Sequence, residues 1–358
     1  MSATTPGLTH AAPPGPTRSQ APGAQQPLPN PEQASGGVQG GQQQLSIQQE
    51  GGAGRGRQSV EYDLLLGADG TSSRVRELLA AHCLAHGPQP LTVTQTLNPS
   101  EYKTVQVPFM ERVVPGYRST FISLSDRSGK MVLLGGATHD GRMFMPLIME
   151  KGEHARHTSA EQYRNTLLTH IPAVDEEQAG LMAQQLASTP VSHGGWNTRC
   201  SHIHGPHCFL IGDAAHSVWP SLGQGANSAL EDVGVLDRLM GEAGALTQAG
   251  LAALPGAFQA ARHRDMLAVV EMTETEGSRP RGPAQSLFFL RVGAQMLLHK
   301  LLPGLVPVPA FIIMQTTLTP YTEVQRQMQQ EGQAVAALAV ASLGVGLALA
   351  LRLLLPLA

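Results

Sequence analysis

The sequence predicts an α/β fold with an inserted β-rich domain, and three observations lead to it. Two short apolar runs, Tyr62 to Leu66 and Phe209 to Ile211, are each followed by a glycine, an aspartate-bearing turn and helical sequence. Between them, Thr92 to Met149 reads as β structure, with alternation at Val105-Gln106-Val107. Beyond the second run, helical sequence continues to about residue 300. Strand–helix units interrupted by a block of strands place a sheet domain inside an α/β domain.

The elements follow in order. Residues 1 to 58 consist mainly of Gln, Gly, Pro, Ala, Ser and Thr, with no aromatic residue and only Glu32 and Glu50 as acids. Such a segment buries too little apolar area to offset its ordering entropy, which predicts disorder. The scarcity of acids also fits a transit peptide, but Arg18 is the only basic side chain besides His10 in the first fifty positions. Structure is expected from about Val60, with a helix over Ser73 to Leu79. Met131 to Leu134 and Arg142 to Met149 flank Asp140-Gly141, where glycine accepts the positive φ of a tight hairpin. Residues 160 to 188 read as helical, and so does Gln224 to Met240. In the latter, Ala226, Ala229, Leu230, Val233, Leu236 and Met240 form one apolar stripe. A Pro-rich apolar stretch covers Leu301 to Ile313.

Bulk properties narrow the function. A hydrophobic share of 42% is enough for a core, and a net charge of −3 gives no electrostatic reason for a nucleic-acid partner. Cys83, Cys200 and Cys208 make no CxxC pair and no even framework, which favours a reducing compartment. Cys200, His202, His204, His207 and Cys208 cluster in sequence, but no second ligand pair has zinc-finger spacing, so they read as structural residues and no metal is expected.

Two motifs carry chemistry. In the first, the strand before Gly67-Ala68-Asp69-Gly70 enters a helix containing Arg74 and Arg76. Gly70 admits close backbone approach, and a helix N-terminus favours phosphate. Asp69 can accept hydrogen bonds from sugar hydroxyls, or it can satisfy the backbone of its own turn. In the second, a buried strand delivers Gly212-Asp213-Ala214-Ala215-His216 to the carboxyl edge of a sheet, where α/β folds bind ligands. Pro220 and the run Gly223-Gln224-Gly225-Ala226-Asn227 follow, opening a helix whose N–H groups can face an electron-rich ring edge. Pro and Gly-Gln-Gly at these offsets are too specific for an ordinary turn.

Together the two motifs resemble the Asp-Gly and Gly-Asp fingerprints of the FAD-dependent aromatic-ring monooxygenases, the single-component flavin hydroxylases. Phe144-Met145-Pro146, Pro320-Tyr321 and Val324-Gln325-Arg326 resemble the kynurenine 3-monooxygenase-like branch. The resemblance spans about residues 60 to 351. It implies a glutathione-reductase-like FAD-binding domain built from 59–90 and 190–260. It also implies a β-rich substrate domain over 91–189 and a C-terminal helical region over 261–333. FAD and NADPH are the implied cofactors, and O2 and a small aromatic molecule the implied reactants. The implied flavin ligands are Asp69, Gly70, Arg76, Gly212, Asp213, Gly223, Gln224, Gly225 and Asn227. Among them Asp213 would hold the ribitol and Gly223 to Gly225 the pyrimidine edge. Pro220 would lie against the reactive face of the ring as the catalytic residue. No side-chain acid or base is required, because the flavin supplies the electrophilic oxygen.

Three departures from the family pattern stand out. No Gly-x-Gly-x-x-Gly turn occurs, and Gly52-Ala53-Gly54-Arg55-Gly56 lacks both spacing and context, so the resemblance implies an N-terminally incomplete member. Thr275 to Arg281 replaces an Asn-Tyr-x-Glu-Met-Arg-type run, and Phe311 stands where a tyrosine would bind substrate carboxylate. Epoxidation on the same cofactor and a non-catalytic FAD-fold protein are the competing readings. Finally, Ala334 to Leu351 is eighteen residues without a charge, long enough to cross a hydrocarbon core. A membrane anchor over 334–358 is therefore expected, on the mitochondrial outer membrane if the resemblance extends that far.

Overall fold

The computed structural model describes residues 43–48, 57–108, 121–126, 130–242, 247–277 and 283–354, with side chains described over 61–108, 122–126, 130–242, 247–276 and 287–337. The expectation of disorder over 1–58 lies largely outside these residues, but at its end it needs correction. Strands β1 (Gln43–Gln48) and β2 (Arg57–Tyr62) pair antiparallel, with Leu45 opposite Val60 and Ile47 opposite Gln58. Leu45-Ser46-Ile47 alternates with period two, a local β signal inside a segment whose average composition hides it.

The α/β unit positions the site. Strand β3 (Leu65–Gly67) runs parallel to a later strand, β12 (Cys208–Leu210), with Leu66 opposite Phe209 and Leu210 opposite Gly67. Strand β11 (His204–Gly205) completes the three-stranded sheet on the far side of β12. Helix α1 (Arg74–His86) follows β3 and buries Leu79 and Cys83 against Phe209, Leu210 and Phe258. Gly67 permits this closeness: a Cβ there would lie 2.6 Å from the Leu210 side chain and 2.9 Å from that of Val75. Any larger residue would push strand, strand and helix apart.

The inserted domain is a five-stranded sheet. Strands β5 (Ser100–Pro108), β6 (Phe121–Ser125), β7 (Val132–Ala137), β8 (Arg142–Glu150) and β9 (Ser192–His193) lie in the order β6-β7-β8-β5-β9. Alternation in β8 turns Met143, Met145, Leu147 and Met149 inward. They pack on Tyr163 and Leu167 of α2 (Ala160–His170) and on Met182 and Leu186 of α3 (Glu176–Ser188). Fully burying each such side chain contributes about 1.5–3 kcal/mol. The expected hairpin forms, with Gly141 at φ +78°. The expected helix over 160–188 is two, because Ser159 with Gln162 and Asp175 with Gln178 each build a capping box that starts a helix. A two-stranded pair, β4 (Val93–Leu97) with β10 (Trp196–Cys200), leads from the inserted sheet back to the α/β unit.

The remaining chain is helical: α4 (Asp213–His216), α5 (Gly225–Glu242), α6 (Gln248–Gly277), α7 (Pro283–Leu301), α8 (Ala310–Thr316) and α9 (Tyr321–Leu354). Val269 and Met272 of α6, Ala310 and Met314 of α8, and Tyr321 and Val324 of α9 share one core. The apolar stripe expected on α5 holds only in part: Leu236 and Met240 pack against the core of the α/β unit, but the N-terminal half of the stripe is not the buried face. Leu230 and Val233 are 69% and 51% exposed, while Ser228 and Asp232 are fully buried. Polar partners on neighbouring elements, described below, outweigh the apolar pattern. Among the described residues no helix is long and apolar enough to cross a membrane. The anchor expected over 334–358 falls mostly on side chains outside the described residues.

Candidate functional site

The carboxyl ends of β3 and β12 bring the two motifs together. Arg76, 5% exposed, donates from one Nη to the Ala214 carbonyl at 2.8 Å and from the other to the Thr71 carbonyl at 2.6 Å. One guanidinium thus ties the turn after β3 to the turn after β12 (its planar fork suits two carbonyls at once). Gln95 from β4 also donates to the Thr71 carbonyl at 3.2 Å, and to the Thr198 hydroxyl of β10 at 3.0 Å.

The two motif aspartates have different surroundings. Asp69 accepts from the Ser73 hydroxyl at 2.5 Å and from the Arg74 and Val75 amides at 2.6 and 3.1 Å. It thereby satisfies the otherwise unpaired N–H groups that open α1. Partial burial raises its pKa, but the bonds from Ser73 and from the Val75, Asp69 and Arg74 amides prevail and hold it below the usual carboxylate value. Of the two roles expected for Asp69, the local one is what the structure contains. Asp213 is exposed, and the Thr71 hydroxyl donates to it at a long 3.5 Å. Its carboxylate faces outward, at the edge where Pro220, Gly223 and Asn227 are also exposed.

Positive-φ glycines shape this edge. Gly212 at φ +55° reverses the chain between β12 and α4, and Gly223 at φ +66° ends the short 3-10 turn Pro220–Leu222. A Cβ built on Gly70 or Gly223 would meet nothing within 4 Å, so both border open space. Gly225 begins α5, and the Asn227 amide donates back to Gln224 at 3.3 Å. Gln224 itself points inward: it is fully buried, donates to Gln315 at 3.1 Å and accepts from the Tyr321 hydroxyl at 3.0 Å. It lies behind the edge, and its side chain braces the loop against α8 and α9.

A buried ion network lies directly beneath. Asp232 of α5 accepts from the Gly212 amide at 2.8 Å, contacts His216 Nε2 at 2.7 Å and accepts from Arg262 Nε at 2.7 Å. Burial pushes its pKa up, but the hydrogen bond and charge of His216, and then Arg262, hold it below the usual value. Arg262 also reaches Glu231 at 3.0 Å and lies over the Tyr321 ring at 5.6 Å. Burial raises the Glu231 pKa against the pull of Arg262. Thr71, Arg262 and Tyr321 were not foreseen as site residues. A carboxylate at a core position of α5 was the available signal, because such a group survives burial only when paired.

The residues grouped earlier around Cys200 and His204 lie elsewhere. Burial raises the Cys200 and Cys208 thiols to about 11 and about 12, so neither is a ready thiolate. His82, His86, His202 and His204 line a cavity of about 730 Å³ at the opposite end of α1. Among the described residues no group of three or more side chains could hold a metal ion.

Residues 36–271 match the family described as an FAD binding domain. A kynurenine 3-monooxygenase from Salinispora arenicola is 28% identical over 287 residues, covering 76% of this chain and 58% of that protein. A violacein synthase from Chromobacterium violaceum is 26% identical over 278 residues, covering 75% and 61%. The chain therefore spans about three fifths of the length of these relatives. The crystal structure of Klebsiella pneumoniae HpxO complexed with FAD and uric acid superposes with a TM-score of 0.50 at 19% identity, over 65% of this chain and 56% of that one. That likeness concerns the fold, and it agrees with the mixed α/β unit described above. With a match that covers well over half of its length, the chain belongs to the family described as an FAD binding domain.

Proposed function

We propose that this protein is an FAD-dependent monooxygenase that hydroxylates an aromatic substrate at the expense of NADPH and O2. The observation that carries the reading is the outward-facing Asp213 carboxylate at the carboxyl edge of β12, flanked by the exposed Pro220 and Gly223. The residues present fit the ribityl and ring half of a flavin, while no Gly-x-Gly-x-x-Gly turn for its ADP half occurs in the sequence. Asp213 is available to accept from ribityl hydroxyls, and the open space over Gly70 and Gly223 leaves room for a ligand to approach the backbone. When bound, the flavin supplies reducing equivalents from the nicotinamide and delivers an oxygen atom to the substrate.

The chain's own groups bind and orient. Asp213 would anchor the sugar chain, Arg76 fixes the spacing of the two turns, and the backbone at Gly223 and Gly225 would face the pyrimidine edge. The N-terminus of α5 would stabilise negative charge there. Pro220 offers a rigid apolar surface with no amide donor, which helps keep water from the reacting face. Titration with FAD, followed by flavin fluorescence, tests the reading. Saturable quenching and NADPH oxidation stimulated by an aromatic substrate are expected, and a chain that leaves FAD fluorescence unchanged sinks it. The apolar run Ala334 to Leu351 further supports a C-terminal membrane anchor, which carbonate extraction of membranes from expressing cells tests.

A further inference from the structure

The histidine-lined cavity lies at the other end of the sheet from the two motif turns. Those turns follow the carboxyl ends of β3 and β12, whereas His202 and His204 precede β12 and lie toward its amino end. Strand β11 borders the cavity through His204 and Gly205, at the sheet edge farthest from β3. The remaining walls are the C-terminal turns of α1, with His82 and His86, and the N-terminal part of α6. Ring centroids lie 5.3 Å apart for His82 and His86 and 6.4 Å apart for His202 and His204, so the imidazoles form two close pairs. His82, His202 and His204 are half-buried.

Size and charge select the ligand. A volume of about 730 Å³ lies within the range of roughly 300–1,000 Å³ that small organic molecules occupy, and it far exceeds what one ion fills. Among the described residues no three side chains converge as metal ligands. No Asp, Glu, Lys or Arg lines the cavity, so a cationic ligand would meet no counter-charge. The titratable groups facing it are His82, Cys83 and His86 of α1 and His202 and His204 around the start of β11, with His263 of α6 acting on the latter pair. Burial raises the Cys83 thiol, which therefore adds no negative charge. Burial, and then His204 and His263, hold His202 below the usual histidine value. Burial and His263 do the same to His204, against a hydrogen bond with the Gly205 backbone. These two imidazoles are thus neutral at pH 7 in the empty cavity, and an anion placed against them would offset what opposes their protonation. Pro88, Pro206 and Pro255 supply apolar surface. Gln259, whose oxygen accepts from the Ile203 amide at 2.8 Å, keeps an N–H donor to offer. We propose that this cavity binds a small organic acid, apolar body against the prolines and carboxylate against the imidazoles, and that a proton from solvent is taken up on binding. The site stands apart from the flavin reading and does not depend on it.

Calorimetric titration of the full-length chain with benzoate tests this. Saturable binding is expected at pH 6. An imidazole whose pKa the anion raises contributes to affinity while it is protonated, so binding should weaken on the order of tenfold per pH unit, for each proton taken up, as the pH rises toward 7.5. Repeating the titration in two buffers of different ionisation heat counts the protons directly. Replacing both His202→Gln and His204→Gln should remove the proton uptake and weaken binding more than tenfold at pH 6, with the unfolding midpoint unchanged. Separately, His86→Gln alters an exposed position on α1. It should weaken binding at pH 6 with the circular dichroism unchanged, which keeps the test decisive should the double substitution disturb the fold. Benzoate binding that takes up no proton and survives all three substitutions lies elsewhere on the chain and overturns the proposal. Absence of benzoate binding, with Zn2+ alone binding in a manner that these substitutions abolish, overturns it in favour of a metal site.

Discussion

The turn after β3 and the turn after β12 begin alike, each with a short parallel strand, a glycine and an aspartate, yet their carboxylates do different work. Asp69 spends its acceptor capacity on Ser73 and the first amides of α1. Asp213 leaves its own helix uncapped and receives only the long contact from Thr71, because Asp232 has taken over the Gly212 amide and holds the turn from below. A turn stabilised from within is scaffold, whereas a turn stabilised from beneath can present its carboxylate to a ligand.

Three substitutions and a pH series can break or sharpen this contrast. The largest effect is expected from Asp232→Ala, which leaves Arg262 buried without its closest acid and the Gly212 amide without an acceptor. Removing one partner of a buried pair costs roughly 3–5 kcal/mol, which denaturant unfolding of the flavin-free protein will register. A loss below 1 kcal/mol would mean that the turn after β12 holds itself. Next comes Asp213→Ala. Loss of a charge-assisted hydrogen bond of about 1.5–3 kcal/mol should weaken FAD binding on the order of ten- to a hundredfold, with the unfolding midpoint of the flavin-free protein unchanged. Unaltered FAD affinity would remove Asp213 from the site.

Asp69→Ala should do the reverse, lowering stability by about 1 kcal/mol, as loss of a helix cap does, with FAD affinity changed less than in Asp213→Ala. A larger drop in affinity at Asp69 than at Asp213 would invert the comparison. The smallest effect concerns acid. Because the folded-state pKa of Asp69 lies below the unfolded value of 3.8, its contribution is complete above that value and disappears as pH falls through the folded one. The acid limb of stability against pH should accordingly be shallower in Asp69→Asn than in the parent protein.

Much of this was legible in the sequence, and the exceptions have physical causes. Both motif strands, the Asp140-Gly141 hairpin and the helix opened by Gly225 follow from turn chemistry and period, which act over a few residues. The N-terminal half of the stripe on α5 misled because hydrophobic period ranks residues by apolarity alone. Ser228 and Asp232 are buried by Arg262 and His216, which are distant in sequence, and no local pattern records that pairing. Gln224 is legible as the residue at the start of that helix, but its inward aim depends on Tyr321 and Gln315 from the far end of the chain. The hairpin of β1 and β2 was missed because composition over 1–58 averages away the alternation at Leu45 and Ile47.

The tie that Arg76 makes with Ala214 also bears on how the chain folds. It joins positions 138 residues apart, and the parallel pairing of β3 with β12 closes a loop of similar length. Closing so long a loop costs chain entropy before any contact across it repays that loss, so this seam forms slowly and late. The inserted sheet with α2 and α3, whose neighbours are mostly local, can collapse first and shorten the effective loop by bringing its own ends together. The inserted domain would then act as an internal staple for assembly. A nascent chain would acquire the pairing of β3 with β12 only after residue 210 has left the ribosome, whatever ligand is present.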